Sequence, residues 1–242
     1  MKAIRRPLKK TFVLVTALLF LCLFSKVQTA QAENVHSLYW KATVNTTVQV
    51  RSLGTGKKVK LKKGTSVTVT FRRISQGSSS TVLLPGNKGK AKVANKYLTY
   101  RKALVTAPDY SKKTKAAFVK KYSSQTKYLL WASLDKQRVT VFKGKKGSWK
   151  VVKVFRFSSG DVAHPTGIST NYTIKRKAWF YSAMYYVTWF SGNAFHSWPI
   201  GYTNESTHLG KQVASHGCLR LSTQDAKWIY NNIPVGTRCI VY

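Results

Sequence analysis

The last thirty residues of the chain decide its fold: "VASHGCLRLSTQDAKWIYNNIPVGTRCIVY", residues 213–242. The run "LRL" directly after Cys218 alternates apolar and charged side chains, which is typical of a strand. Ser222 and Asp225 form a capping-box pattern, and the apolar residues behind them recur at helical spacing. "TRCIVY" then closes the segment as an apolar strand. The pattern predicts a mainly β domain that contains one short helix.

Short strands also precede this segment. The runs "YLLWASLD", "QRVTVFKG" and "SWKVVKVFRFS" begin at Tyr128 and are separated by turn residues. Together with the C-terminal segment they predict one mainly β domain over residues 127–242.

A second β region covers residues 33–106. Runs such as "KVKLKKGTSVTVTFRR" are separated by Gly, Pro, Asn and Ser, which predicts a small all-β domain. Its layout resembles a bacterial SH3-like module, while an unrelated β-barrel or an N-terminal extension stays open as an alternative. Residues 107–126 are rich in lysine, and Ser111 can cap a short helix there. We interpret this segment as a basic helical linker between the two β regions.

The start of the chain is typical of a secretory signal peptide. "MKAIRRPLKK" places five Lys and Arg in ten residues, an apolar run follows from Thr11 to Phe24, and "AQA" ends at Ala32. The apolar run is shorter than the ~20 residues that span a bilayer. We therefore expect cleavage after Ala32, with residues 1–32 excluded from the fold.

The charge of the chain is strongly positive. The net charge is +36, and removal of the six Lys and Arg of the predicted signal leaves +30 on 210 residues. Such a surface favours a polyanion or a negatively charged matrix as partner, unless it serves solubility alone. Nucleic acid is the usual partner of a basic protein, but export argues against it. We expect a secreted, wall-associated protein that binds anionic cell-wall polymers and meets the membrane only during export.

Two cysteines remain after the predicted cleavage, Cys218 and Cys239. Secreted domains usually pair their cysteines, so a Cys218–Cys239 disulfide is one interpretation. The other is a free thiol at Cys218, with Cys239 acting as a small apolar residue in the last strand.

Four segments together carry a resemblance to a known family. They are "YLLWASLDKQRVTVFKG", "HPTGIST", "NAFHSWP" and the C-terminal stretch that opens this section. They resemble the L,D-transpeptidase catalytic domain, also called the YkuD domain, over residues 127–242. The family pattern is a histidine, a spacer, then Ser/Thr-His-Gly-Cys, and it runs here from His196 to Ser215–Cys218. The resemblance implies a β-sandwich-like fold for this domain.

The resemblance also implies an enzymatic function. Members of the family act on peptidoglycan stem peptides and attack the L-to-D bond before the terminal D-Ala of a tetrapeptide. A thioester forms, and the acyl group passes to an amine on a neighbouring stem, which cross-links the cell wall and maintains cell shape. Two alternatives stay open: an L,D-carboxypeptidase, in which water replaces the amine, and a wall-binding protein with little catalytic activity.

The motif residues suit acyl transfer, which needs a nucleophile, a base and oxyanion donors. Cys218 is the predicted nucleophile, and a nearby histidine is expected to lower the pKa of its thiol. Gly217 permits a sharp turn, so the backbone N–H groups of Gly217 and Cys218 are the expected oxyanion donors. The resemblance implies that His196 is the base and that the backbone carbonyl of Ser197 holds its ring.

Four further residues are weaker candidates. His216 and Ser215 are expected to shape the site, Ser215 by local hydrogen bonds. Arg220 suits either a stem-peptide carboxylate or a structural ion pair. By resemblance, Tyr186 stands where an aromatic side chain lines the site, although most of the stretch 179–190 is expected to be core. No metal-ligand spacing is found, so neither a metal nor a cofactor is predicted.

Overall fold

The fold is described by a computed structural model for residues 33–73 and 77–242. The predicted signal peptide at residues 1–32 lies outside the described residues. The observed architecture is mainly β, as predicted. None of the helices in the described ranges is long and apolar enough to cross a membrane.

Seven strands precede the first helix. They are β1 (Tyr39–Val44), β2 (Val48–Arg51), β3 (Lys58–Leu61), β4 (Ser66–Phe71), β5 (Ser79–Leu83), β6 (Lys90–Ala94) and β7 (Leu98–Leu104). Five of them form an antiparallel sheet in the order β6-β5-β4-β1-β7, and β2 pairs with β3 as a separate hairpin. One 3-10 turn at Pro85–Asn87 precedes β6, and a second at Asn95–Tyr97 precedes β7. The region is all-β, and its likeness to SH3 modules stays a prediction.

Helix α1 (Lys112–Val119) lies in the segment interpreted as a helical linker. The side chain of Ser111 accepts a hydrogen bond from the N–H of Thr114 at 3.1 Å, which caps the first turn. Val119 is buried beside Tyr110 and Trp131 in a small apolar cluster. The helix therefore packs on the following β region.

The second β region contains two sheets. The first has the order β10-β9-β8-β16-β11 and the second β12-β13-β14-β15. Their strands are β8 (Tyr128–Ser133), β9 (Arg138–Lys143), β10 (Lys150–Arg156), β11 (Ser169–Thr173), β12 (Arg176–Tyr181), β13 (Met184–Trp189), β14 (Ala194–Ser197), β15 (Leu219–Leu221) and β16 (Arg238–Val241). Helix α2 (Glu205–His208) is a single turn, and α3 (Thr223–Asn232) is the predicted short helix.

Helix α3 connects the two sheets. Ala226 and Ile229 point inward and are fully buried in a core cluster that also contains Leu219 and Val241. β15 and β16 are the strands at either end of this helix, and each pairs in parallel with a neighbour in its own sheet, β14 and β8 respectively. The connection through α3 therefore sets the position of β15 beside β14. The residues that directly precede β15 are positioned with it.

The two β regions share one core. Residues Glu33–Tyr242 form a single compact unit, and the same apolar cluster contains Leu38 and Trp40 of the first region and Leu134 of the second. Arg72 joins them through a polar contact, since its guanidinium donates to the carbonyl of Val162 at 2.9 Å. The proposed boundaries at residues 106 and 127 stay a prediction.

The aromatic stretch 179–190 departs from its expected place in the core. Trp179, Phe180 and Tyr181 are exposed, whereas Val187 and the residues after it are buried. The exposed residues belong to β12, which is the edge strand of its sheet and turns at Ser182 and Ala183, both at positive φ. The three exposed aromatic side chains therefore lie at the edge of the sheet and not in the core.

The N-cap of α3 offers a direct test of this local structure. The Ser222 hydroxyl accepts a hydrogen bond from the N–H of Asp225 at 3.2 Å. We expect Ser222→Ala to lower the free energy of unfolding by about 1 kcal/mol, because that N–H would lose its partner. Urea denaturation measures the change, and Thr223→Ala, at an exposed position one residue later, is the matched control. Equal losses in both variants would contradict the role of the cap.

Candidate active site

The candidate site lies where β14 and β15 run side by side. The strands are parallel, and His196 stands opposite Arg220. Cys218 directly precedes β15, and its Sγ accepts a hydrogen bond from the N–H of Ala194 at 3.4 Å. Opposite residues of parallel strands, and every second residue along one strand, share a face. Cys218 lies just outside β15, but it packs with Ala194, which shares a face with His196 in β14, so the thiol and the imidazole are on the same side of this sheet.

His196 is held in one orientation by the backbone. It is 2% exposed, and its Nδ1 lies 2.6 Å from the carbonyl oxygen of Ser197. A carbonyl oxygen only accepts hydrogen bonds, so Nδ1 carries the hydrogen and Nε2 keeps its lone pair. This is the contact that the resemblance implied for Ser197, and it leaves Nε2 able to take a proton.

Burial decides the charge of this imidazole. It lowers the pKa of His196 to about 4, with the Ser197 carbonyl opposing the shift and the positive charge of Arg220 adding to it. The ring is therefore neutral at neutral pH, as a general base must be before it acts.

Acid is expected to destabilise the protein through His196. The unfolded imidazole gains a proton near its ordinary pKa of about 6.5, whereas the folded one stays neutral down to about pH 4. The unfolded state binds more protons between these values, so stability is lost as the pH falls from about 6.5 towards 4. This group contributes up to about 3 kcal/mol of that loss. Urea denaturation at about pH 7.5 and about pH 4.5 measures it, and His196→Gln should show a smaller difference; an equal one contradicts the assignment.

The thiol of Cys218 does not follow the sequence-based expectation. Burial raises its pKa above the ordinary value, and the Ala194 N–H and the charge of Arg220 offset only part of that shift. The expectation that a nearby histidine lowers this pKa is thus corrected, because a neutral imidazole supplies no positive charge. Burial thus favours the uncharged form of both the Cys218 thiol and the His196 imidazole.

The turn before the cysteine requires glycine. Gly217 has φ +110°, and a Cβ there would lie 2.5 Å from Oδ1 of Asn193. Its N–H donates to the Ser215 hydroxyl at 3.1 Å, and its carbonyl accepts from the Thr166 hydroxyl at 2.7 Å. Because the Gly217 N–H already has a partner, the Cys218 N–H is the better oxyanion candidate of the two.

Ser215 holds this turn together. It is buried, and its hydroxyl donates to the Cys218 carbonyl while accepting from the Gly217 N–H. Its own N–H donates to the Ser159 carbonyl at 3.0 Å. The expected local hydrogen bonding of Ser215 is therefore present, and it fixes the backbone on which the thiol stands.

Arg220 is buried without a carboxylate partner. It is 7% exposed, and within the described ranges no acidic side chain forms an ion pair with it. The guanidinium lies 5.4 Å from the ring of Trp198 and 5.2 Å from that of Tyr202, and its Nε has no hydrogen-bond partner. The predicted structural ion pair is therefore absent among the described residues, and the role as a carboxylate ligand stays a prediction.

The two remaining candidates contact other groups. His216 is exposed, and its ring meets that of His164 edge-on at 4.6 Å. Tyr186 packs against Tyr230 of α3, with ring centroids 5.8 Å apart, and the ammonium of Lys227 lies 5.8 Å from the centre of the Tyr186 ring. The structure therefore brings Cys218, Gly217, Ser215, His196, Ser197 and Arg220 together, with His216 in the same turn as Cys218. Tyr186 instead packs against helix α3.

Two contributing residues were not predicted. Thr166 anchors the Gly217 carbonyl, and Asn193 fills the space beside the Gly217 Cα. Both lie inside segments that carried the resemblance, "HPTGIST" and "NAFHSWP". Their position in those segments was the available signal, but their contacts depend on chain regions far apart in sequence.

Comparison with known proteins gives one family match. Residues 127–241 match the family described as YkuD, the L,D-transpeptidase catalytic domain. The protein YciB of Bacillus subtilis (strain 168), which carries an L,D-transpeptidase name, is 39% identical over 80 residues. That alignment covers 28% of this chain and 41% of the relative, so the chain spans less than half the length of YciB.

Two solved structures illustrate the similarity found. A fused Zn-dependent amidase/peptidase/peptidoglycan-binding protein from Clostridium acetobutylicum is 29% identical, with a TM-score of 0.46 over 57% of this chain and 65% of its own. An L,D-transpeptidase from Mycobacterium smegmatis is 15% identical, with a TM-score of 0.41 over 88% of this chain and 97% of its own. On the family match, residues 127–241 of this chain are an L,D-transpeptidase catalytic domain of the YkuD family.

Proposed function

We propose that the chain is a peptidoglycan L,D-transpeptidase in which Cys218 is the nucleophile and His196 the base. The observation that supports this most directly is the hydrogen bond from His196 Nδ1 to the Ser197 carbonyl, 2.6 Å long. It leaves Nε2 free on the face of the sheet that also carries the thiol. A neutral imidazole and a neutral thiol are the correct starting forms for transfer of the proton during attack.

The reaction has two acyl-transfer steps. His196 Nε2 takes the thiol proton as Sγ attacks the carbonyl of the L-to-D bond before the terminal D-Ala. The tetrahedral oxyanion is stabilised by the Cys218 N–H, and its collapse expels D-Ala, whose nitrogen receives the proton from His196. An acceptor amine from a neighbouring stem then attacks the thioester and loses a proton to His196. The new amide cross-links the wall, and the thiol regains its proton.

Arg220 is proposed to bind a carboxylate of the donor stem. Its guanidinium is nearly enclosed, lies beside His196 in the strand register, and lacks an acidic partner among the described residues. A carboxylate accepts two hydrogen bonds from the planar guanidinium, which would fix the terminal D-Ala relative to the thiol. A buried charge without a partner is costly, and such a ligand would supply one.

The experiment is incubation of the protein with a tetrapeptide stem, with and without an amine acceptor, followed by mass spectrometry. A transpeptidase releases D-Ala beyond one equivalent per chain, and forms a cross-linked product, only when the acceptor is present. An L,D-carboxypeptidase releases D-Ala and yields the tripeptide in both samples. Release of no D-Ala in either sample contradicts both activities and favours the wall-binding protein with little catalytic activity.

The positive surface is proposed to hold the exported protein on anionic cell-wall polymers. The lysines of "KKVKLKK" at residues 57–63 are exposed, as a polyanion site requires. Binding to isolated walls is expected to weaken at least about tenfold between ~0.05 and ~0.2 M salt, because exposed charges are screened over about 10 Å at ~0.1 M. A pull-down at several salt concentrations measures this. Equal binding to walls stripped of anionic polymers would show that the charge is not the cause.

A further inference from the structure

Three metal-ligating side chains meet beside the turn that carries Cys218. One ligand atom from each of Asp161, His164 and His216 lies within 4.8 Å of the other two. His164 Nδ1 is 3.3 Å from a carboxylate oxygen of Asp161, and the two imidazole rings are 4.6 Å apart at an angle of 87°. The proposed acyl-transfer mechanism uses none of these three side chains.

The backbone holds the two segments of this cluster together. Asp161 donates its N–H to the Ser215 carbonyl at 2.8 Å, and the Thr166 hydroxyl donates to the Gly217 carbonyl at 2.7 Å. These bonds stand on either side of His216 in the sequence, and they attach the loop of residues 160–166 to its segment. The ligands therefore converge because of main-chain pairing and not because of a chance contact between exposed side chains.

The loop itself is tightly folded. The N–H of Gly160 donates to the Thr166 hydroxyl at 2.8 Å, and a Cβ on Gly160 would lie 2.1 Å from the His164 carbonyl oxygen. The N–H of His164 donates to the Asp161 carboxylate at 2.7 Å. Arg72 of the first β region holds the same loop through the Val162 carbonyl. These contacts hold the backbone of the loop, so little backbone ordering is left to oppose binding of a ligand.

The donor set indicates the class of ligand. Two imidazole nitrogens and one carboxylate oxygen suit late first-row divalent ions such as Zn²⁺, Ni²⁺ and Cu²⁺, whereas Mg²⁺ and Ca²⁺ prefer oxygen ligands alone. The carboxylate supplies the one negative charge that lies among the three groups. Both histidines are exposed, so water or another small ligand can complete the coordination.

We propose that Asp161, His164 and His216 form a binding site for a Zn²⁺-class ion. The ion would link loop 160–166 covalently, through coordinate bonds, to the segment that leads into Cys218. The sequence spacing predicted no metal because two ligands come from one loop and the third lies 52 residues later, as the numbers of His164 and His216 show. The site is separate from the acyl-transfer groups, so its test does not depend on the proposed function.

The test is calorimetric titration of the full chain with ZnCl₂ in the background of Cys218→Ala, which removes the reactive thiol as a competing ligand. One ion per chain is expected to bind. His164→Gln should weaken binding at least about tenfold, since even partners outside the direct ligands change metal affinity by 10–100-fold. The matched control is His208→Gln, because His208 contacts Asn204 and Trp198 and lies outside the cluster.

Two results would overturn the proposal. The first is the absence of saturable binding to the Cys218→Ala chain. The second is binding that His164→Gln leaves unchanged, or that His208→Gln weakens by the same factor. The visible absorption of bound Co²⁺ gives an independent readout, since loss of one imidazole ligand from a folded chain changes its spectrum while a control substitution does not. Thermal unfolding without metal confirms that each variant is folded.

Discussion

Cys218→Ala is expected to abolish formation of the acyl-enzyme. The thiol is the only group of the candidate site that can form a thioester, and loss of the nucleophile in a covalent mechanism lowers the rate by about 10⁴-fold or more. Intact-protein mass spectrometry after incubation with a tetrapeptide donor measures the effect directly, because acylation adds the mass of the tripeptide less one water. The unsubstituted chain should gain that mass, and the variant should not.

Cys239→Ala is the matched control for this prediction. Cys239 lies in β16, is 0% exposed, and burial raises the pKa of its thiol far above the ordinary range. Its removal should leave acylation intact while lowering stability through lost packing. Both cysteines are free thiols in the structure, which contradicts the disulfide alternative. A thioester on the Cys218→Ala chain, or a native Cys218–Cys239 disulfide in the purified protein, would refute the mechanism.

The second large effect is expected at His196. His196→Gln should reduce the rate of acylation by about 10²–10⁴-fold, the contribution of a well-placed general base. The glutamine amide can still donate a hydrogen bond to the Ser197 carbonyl, but it cannot take up the thiol proton. Single-turnover acylation by the donor peptide, followed over a range of pH, measures the loss. At high pH the deficit should shrink, because hydroxide can then remove the proton from the thiol.

His216→Gln separates the two histidines near the thiol. His216 is exposed and contacts His164, whereas His196 is buried on the face that carries Cys218. With a chelator present to exclude metal effects, we expect this variant to keep most of its acylation rate. If His216→Gln loses activity as severely as predicted for His196→Gln, and His196→Gln does not, the base has been assigned to the wrong residue.

Features that depend on neighbouring residues could be predicted from the sequence. The short helix α3 with its Ser222 cap and the strands on either side of it are encoded by local spacing. The free thiol at Cys218 and the carbonyl of Ser197 followed from the resemblance of a few short segments. These features involve residues that lie within a few positions of one another, so a single window of sequence contains the information.

Features that depend on pairing between distant segments could not be predicted from the sequence. The Gly217 N–H is occupied by Ser215, and the loop around Asp161 lies against the motif only because of main-chain pairing across more than fifty residues. The pKa of the Cys218 thiol likewise depends on how deeply the fold buries this thiol. The periodicity of apolar residues in the sequence does not reveal that depth. The exposure of Trp179 depends on β12 being an edge strand.

The contact of Arg72 has a mechanical consequence. Its guanidinium lies over the rings of Tyr100 and Trp40 at 3.7 and 4.9 Å and reaches the Val162 carbonyl in the loop beside the turn that carries Cys218. Two modules joined only by a flexible tether sample many separations, and the local concentration of a captured ligand is then an average over them. Modules that share a core have one separation. A polymer strand bound to the first β region would thus lie at one fixed distance from the Cys218 thiol.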